Sequence, residues 1–273
     1  MKLPIILILL LVLTASAGGY EFGLGRQSGM AGCIMLSSPT ASDMLTCPTA
    51  NFRNKEVRLE AGYQRKYELS DLDRVFVSGC YRYRGFSGAI GFSQFGRSDY
   101  YVEQMVKTAL SYNHNLFTVS AMISGKMLEI GSGDRRYSLG TAALGLGGAV
   151  SYRKYHLGLV LDNLNGPKLA DNDEADNAVY SIYGEIEGPA RFSITGRVTL
   201  EKKEKPSLAI GQYIRLHDQG AIFWGLSDNP LAYGGGLEIN YKNLDLMYAV
   251  SYHPVLGFTH NISLGFASGN MLH

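Results

Sequence analysis

From about Val57 onward the chain alternates apolar and polar residues with a period of two, segment after segment. A β-strand turns successive side chains to opposite faces, so this pattern describes strands with one apolar and one polar face. The last segment is the clearest. Phe258, His260, Ile262, Leu264 and Phe266 share one face, and Thr259, Asn261, Ser263 and Gly265 share the other. In 190–201, Phe192, Ile194, Val198 and Leu200 oppose Arg191, Ser193, Thr195, Arg197, Thr199 and Glu201. The same reading predicts about fourteen strands: 56–65, 74–83, 86–95, 100–112, 116–127, 137–152, 155–163, 178–187, 190–201, 206–216, 220–227, 231–241, 244–253 and 258–267. No amphipathic helix pattern intrudes between them.

Strands of about 9–11 residues are long enough to cross a bilayer at a tilt. A soluble sandwich would bury the apolar faces between two sheets. A membrane barrel turns them to lipid, turns the polar faces to its lumen, and must close so that no backbone group is left unpaired. Composition favours the barrel. Charged residues are 18% of the chain, and there are 33 Gly and 18 Tyr against 8 Pro and 1 Trp. A net charge of +1 gives no basic footprint for nucleic acid. The expectation is therefore an all-β transmembrane antiparallel barrel, over 56–267, that is not an enzyme.

The links point the same way. Arg84-Gly85, Arg153-Lys154, Gly188-Pro189 and Lys242-Asn243 are tight, whereas the intervening links at 66–73, 128–136, 164–177 and the charged tip 201–205 are longer. Short turns on one side and longer loops on the other characterise barrels of the bacterial outer membrane. An even strand number puts both termini on the short-turn side, which would face the periplasm, leaving 268–273 as a tail. At the other end of the chain, Lys2, the apolar run Ile5–Val12 and Ala15-Ser16-Ala17 read as an export signal over 1–17.

Residues 18–55 break the strand pattern. They are rich in Gly, Ser and Thr, yet carry Met30, Ile34, Met35, Leu36, Met44 and Leu45. That apolar content argues for a plug, or hatch, inside the barrel over a disordered leader. Cys33 and Cys47 fall in this segment and are candidates for a disulfide, while Cys80 falls in a strand and reads as a buried free thiol.

The stretch Gly25-Arg26-Gln27-Ser28-Gly29-Met30-Ala31-Gly32 resembles the mature N-terminus of the FadL-like superfamily, which holds long-chain fatty-acid transporters and the PorV/PorQ proteins of type IX secretion. The run Ser42-Asp43-Met44-Leu45-Thr46-Cys47-Pro48-Thr49-Ala50-Asn51-Phe52 resembles the element that precedes the first strand in that group, with Cys47 where Asn is usual and Thr49 between Pro48 and Ala50. The resemblance implies an N-terminal hatch carrying Gly25, Arg26, Gly29, Met30, Gly32, Asp43, Pro48 and Ala50. It also implies passage of small hydrophobic compounds such as fatty acids. The alternative within the group is a secretion accessory or structural barrel, with secretion-system proteins as partners. The short loops of this chain favour that alternative. A simple diffusion porin would need 18–55 to leave the lumen.

Thirteen residues on the polar faces carry or can acquire charge: Arg58, Glu60, Arg82, Glu103, Lys107, Lys126, His156, Asp162, Glu185, Arg191, Arg197, Glu238 and Asp245. Both signs occur, as a packed lumen needs, because buried charge is costly unless paired. In an open porin such groups would set ion selectivity. Ser151, His156 and Asp162 contain the residue types of a hydrolytic set, but no nucleophile motif surrounds them. Gly140 to Gly148 lies within a strand, where close packing on the hatch is expected rather than a phosphate loop. Asp171-Asn172-Asp173-Glu174 is dense in oxygen ligands but lacks EF-hand spacing, and reads as a solvated loop. No cofactor or metal site is expected. The expected partners are membrane lipid and a small hydrophobic ligand.

Overall fold

A computed structural model describes residues 24–50, 56–97, 101–132, 135–169 and 175–268. The export signal, the acidic run 171–174, Asn51, Phe52 and nearly all of the tail lie outside the described residues. Among the described residues, fourteen antiparallel strands follow one another around a closed barrel. They are β1 (Val57–Arg65), β2 (Asp73–Tyr83), β3 (Phe86–Arg97), β4 (Tyr101–His114), β5 (Phe117–Ser132), β6 (Arg135–Tyr152) and β7 (Tyr155–Asp162). Then come β8 (Val179–Glu187), β9 (Phe192–Glu201), β10 (Ser207–His217), β11 (Gly220–Asp228), β12 (Leu231–Tyr241), β13 (Leu244–His253) and β14 (Gly257–Ala267). The barrel closes where β1 meets β14, from Arg58 opposite Ala267 to Arg65 opposite His260. Both ends of the wall therefore lie at the short-turn mouth.

The two faces separate as the alternation requires. Ile90, Leu110, Val119, Ile123, Leu157 and Leu264 are each more than half exposed, and similar residues project outward all round the wall. An apolar surface of that extent belongs in lipid, since soluble proteins rarely expose contiguous apolar patches beyond a few hundred Å². Tyrosines gather near the short turns, where Tyr81 stacks on Tyr83 and Phe86 packs against Tyr112. Arg84, Asn115, Arg153 and Lys242 take the left-handed backbone of tight hairpins, whose twist matches that of the flanking strands.

Three expectations need correction. The link 128–136 is not a loop. β5 and β6 continue their ladder from Met127 opposite Gly140 to Ser132 opposite Arg135, because backbone pairing needs no apolar pattern beyond the lipid. Arg191 does not stand on a strand, although it lines the vestibule at the short-turn mouth. Pro189–Arg191 form a short 3-10 turn, β9 begins only at Phe192, and the Arg191 side chain is half exposed at the rim, paired with Asp218. The lumen face is also not uniformly polar. Ala89, Met105, Ala109, Met122, Val160, Tyr183, Ala209, Ala221, Phe223 and Ala249 are buried on it, facing an apolar segment that fills the interior.

Candidate functional site: the filled lumen

The filling segment is 24–50. It makes two single helical turns, Arg26–Gly29 and Asp43–Thr46, joined by extended chain. The first turn lies against β11, β12 and β13 and the second against β3 and β4, so the segment crosses the barrel from one wall to the other. Two apolar clusters hold it. Met30, Cys33 and Met35 pack on Ala209, Ala221, Phe223 and Ala249. Ile34, Leu36, Met44, Leu45 and Cys47 pack on Ala89, Met105, Met122 and Val160. Burying each large side chain contributes roughly 1.5–3 kcal/mol relative to exposure. The alanines of the wall make room for them.

Glycines allow the closest approach. Gly211, Gly225 and Gly234 lie side by side across β10, β11 and β12. A Cβ on Gly225 would fall onto the Met30 backbone, and one on Gly234 onto the Gly29 carbonyl. Bare wall backbone is therefore the seat of the first turn. Gly25, at φ 64°, has the Glu60 carboxylate and the Ser263 hydroxyl where a side chain would sit. Gly29 abuts Phe223 and Gly32 abuts the Arg197 guanidinium.

Charge fixes the register of segment on wall. Arg26 is almost fully buried, 3.4 Å from Asp43 and 3.6 Å from Glu238. It donates to the Ser38 carbonyl and lies over the Tyr213 ring, whose hydroxyl donates to Glu238 at 3.3 Å. Burial works against the guanidinium charge, but Glu238 and Asp43 outweigh it and hold the group above its ordinary pKa. Glu60 accepts from the Ser42 backbone N–H at 3.0 Å. Glu185 accepts from both the backbone and hydroxyl of Ser37, at 2.8 and 2.7 Å. Arg58 donates to the Pro39 carbonyl and pairs with Glu56 at 2.8 Å. Ser111 donates to the Pro48 carbonyl, Asn261 to the Ser28 hydroxyl at 2.8 Å, and the Ala50 N–H to the Cys47 carbonyl. Buried ion pairs of this kind are costly to break singly, by about 3–5 kcal/mol.

The remaining lumen residues fall into two groups. Toward the longer links, wall pairs with wall or link: Lys107 with Asp162 at 2.7 Å, Lys126 with Asp176 at 2.9 Å, and Tyr101 donating to Glu103. At the short-turn mouth, Arg82, Asp245 and Arg215 help line an open vestibule of ≈ 580 Å³ beneath the segment. The imagined set of Ser151, His156 and Asp162 does not assemble. Asp162 lies at the far end of β7 with Lys107, and His156 instead bridges Ser151 at 3.0 Å and Glu187 at 2.7 Å. The Cys33–Cys47 disulfide is not made either. Both thiols are free, and they lie in different clusters. Burial raises both, Cys47 to about 11 against the pull of the Thr49 hydroxyl at 3.1 Å.

Sequence reading missed the glycine seat, because glycines in strands do not announce which face they leave bare. It also missed Arg74, which is fully buried over the Phe95 ring. Of the Gly140–Gly148 run, Gly147 does meet the segment, through Thr49, whereas Gly145 meets Met122 of the wall.

No protein-family model matches the chain, and no curated protein matches it by sequence. Solved structures match its fold. One is a deltaS2 mutant of the TodX monoaromatic hydrocarbon channel, with a TM-score of 0.65 and 9% identity, covering 91% of this chain and 98% of that one. The P. putida toluene transporter TodX has a TM-score of 0.59 and 10% identity, covering 93% and 100%. The Acinetobacter baumannii outer membrane protein Omp33 has a TM-score of 0.52 and 10% identity, covering 78% and 99%. The shared feature is the barrel fold.

Proposed function

We propose that this protein is an outer-membrane channel for small hydrophobic compounds, of the fatty-acid or monoaromatic class, gated by its own N-terminal segment. The observation that carries the reading is the buried segment 24–50, tied to the wall through Arg26, Ser37, Pro39 and Ser42. A lumen so filled resists a water column but offers apolar surface along both clusters to an apolar solute. The fold shared with a hydrocarbon channel supports the same class of cargo. In this reading both mouths have assigned sides, with the short turns and the termini in the periplasm, and the protein passes cargo without transforming it.

The test is uptake of toluene and of a long-chain fatty acid into vesicles carrying the purified protein. Ser28→Cys with Asn261→Cys, in a background whose native thiols are replaced by Ala, would tether segment to wall. Uptake that falls on oxidation and returns on reduction supports the reading. Uptake no faster than in protein-free vesicles sinks it. A second reading, a PorV/PorQ-like secretion accessory, is favoured by the tight links at 229–230 and 254–256, which leave little chain for capturing a ligand outside. Co-purification of a secretion protein from gently solubilised membranes, together with absent uptake, would select it.

A further inference from the structure

We infer that the outer wall across β6 to β10 holds an anionic phospholipid, its acyl chain laid over Gly184 and Gly196 and its phosphate at Arg153 and Lys154. The inference rests on the wall being embedded in lipid and on no property of the cargo.

The registers place Val150, Leu157, Gly184, Gly196 and Ile210 in one row across five strands. The row faces outward, because Ile182 and Ile186 on either side of Gly184 are exposed while Tyr183 and Glu185 are buried. Two adjacent positions without side chains leave a trough in an otherwise studded surface. Its outward lining includes Tyr152, Tyr155, Leu157, Ile186, Ile194 and Ile210, around a volume of ≈ 700 Å³. Packing within the chain does not require these glycines. A Cβ on Gly184 would meet nothing within 4 Å, and one on Gly196 only the Ala209 carbonyl at 3.7 Å. Both differ from Gly225 and Gly234, which the chain itself fills. Whatever occupies the trough comes from outside, and outside is hydrocarbon.

The second observation is the charge at its end. The β6–β7 turn is Arg153-Lys154, and among the described short turns it alone carries two cations. Both are exposed, and each lies over its neighbouring tyrosine ring, Arg153 over Tyr152 at 5.2 Å and Lys154 over Tyr155 at 5.3 Å. The nearby carboxylates of Glu185 and Glu187 point into the lumen, toward Ser37 and His156. Leu157, opposite Gly184, is three residues from Lys154, or about 10 Å along a strand. That is the spacing between a headgroup phosphate and the upper part of its chains. Cations over interfacial tyrosines with an apolar trough beneath suit one glycerophospholipid whose headgroup carries net negative charge.

The test is native mass spectrometry of the full chain in mild detergent, titrated with phosphatidylglycerol or phosphatidylcholine of matched chains. The wild type is expected to retain one phosphatidylglycerol in preference to phosphatidylcholine. Arg153→Gln with Lys154→Gln should weaken phosphatidylglycerol retention about tenfold and leave phosphatidylcholine unchanged. Gly184→Leu with Gly196→Leu should weaken both. Lys202→Gln with Lys203→Gln, at the opposite mouth, should change neither. Folding of each variant is read from its faster gel migration when unheated. Equal retention of the two lipids by the wild type, or full phosphatidylglycerol retention in the folded Gln variant, overturns the proposal.

Discussion

Two cross-strand glycine pairs lie on opposite faces of the same wall. Gly225 and Gly234 face the lumen, and the backbone of Gly29 and Met30 takes the space their side chains would fill. Gly184 and Gly196 face lipid, and nothing in the chain fills theirs. The same residue in the same strand geometry is thus a seat on one face and a trough on the other. At Gly225 and Gly234 the bare backbone serves the close approach of the N-terminal segment. On the outer face the same vacancy is open to solvent lipid.

The strongest way to break the comparison is to remove what sits on the lumen pair. Deleting 24–50 should turn a silent protein into one with a water-filled conductance in planar bilayers. If the deleted form stays silent, the wall pairs Lys107–Asp162 and Lys126–Asp176 close the barrel by themselves. Next in size is Arg26→Ala, which leaves Glu238 and Asp43 buried without their cation and should cost about 3–5 kcal/mol in urea unfolding. Arg26→Ala with Glu238→Gln should recover part of that loss.

Substitution of the glycines themselves sharpens the contrast. Gly225→Val should destabilise by about 1–3 kcal/mol, by overpacking against Met30. It should also loosen the segment enough for maleimide to reach Cys33 and Cys47 in the folded barrel. In the wild type these thiols should stay unlabelled near neutral pH. Burial raises them, Cys47 to about 11, so the reactive thiolate is scarce until the pH climbs toward that value. The smallest effect is expected from Gly184→Val, within about 0.5 kcal/mol of wild type, because its new side chain enters open space.

Sequence reading recovered the strands because the pleat is a local property. Residue i and residue i+2 share a face whatever the rest of the chain does, so the outward set of β14, from Phe258 to Phe266, was legible without any partner. Strand ends were less legible. β5 and β6 run past the lipid on backbone pairing alone, and Arg191 left its expected strand for a turn because Pro189 starts a 3-10 helix there. The interior was legible only in part. The apolar residues of 24–50 marked it as a filling segment, but not where each would land.

The sequence by itself determined that this chain would make a closed wall of about fourteen strands, apolar outside, since alternation and the need to pair every backbone group in lipid leave no other arrangement. Only the tertiary structure decided which residues meet across the lumen. Arg26 finds Glu238, Ser37 finds Glu185, and Asp162 finds Lys107 rather than His156. Those meetings depend on how the strands stagger as the sheet closes and on the path of one segment through the space inside. Neither is written in the period of any single strand.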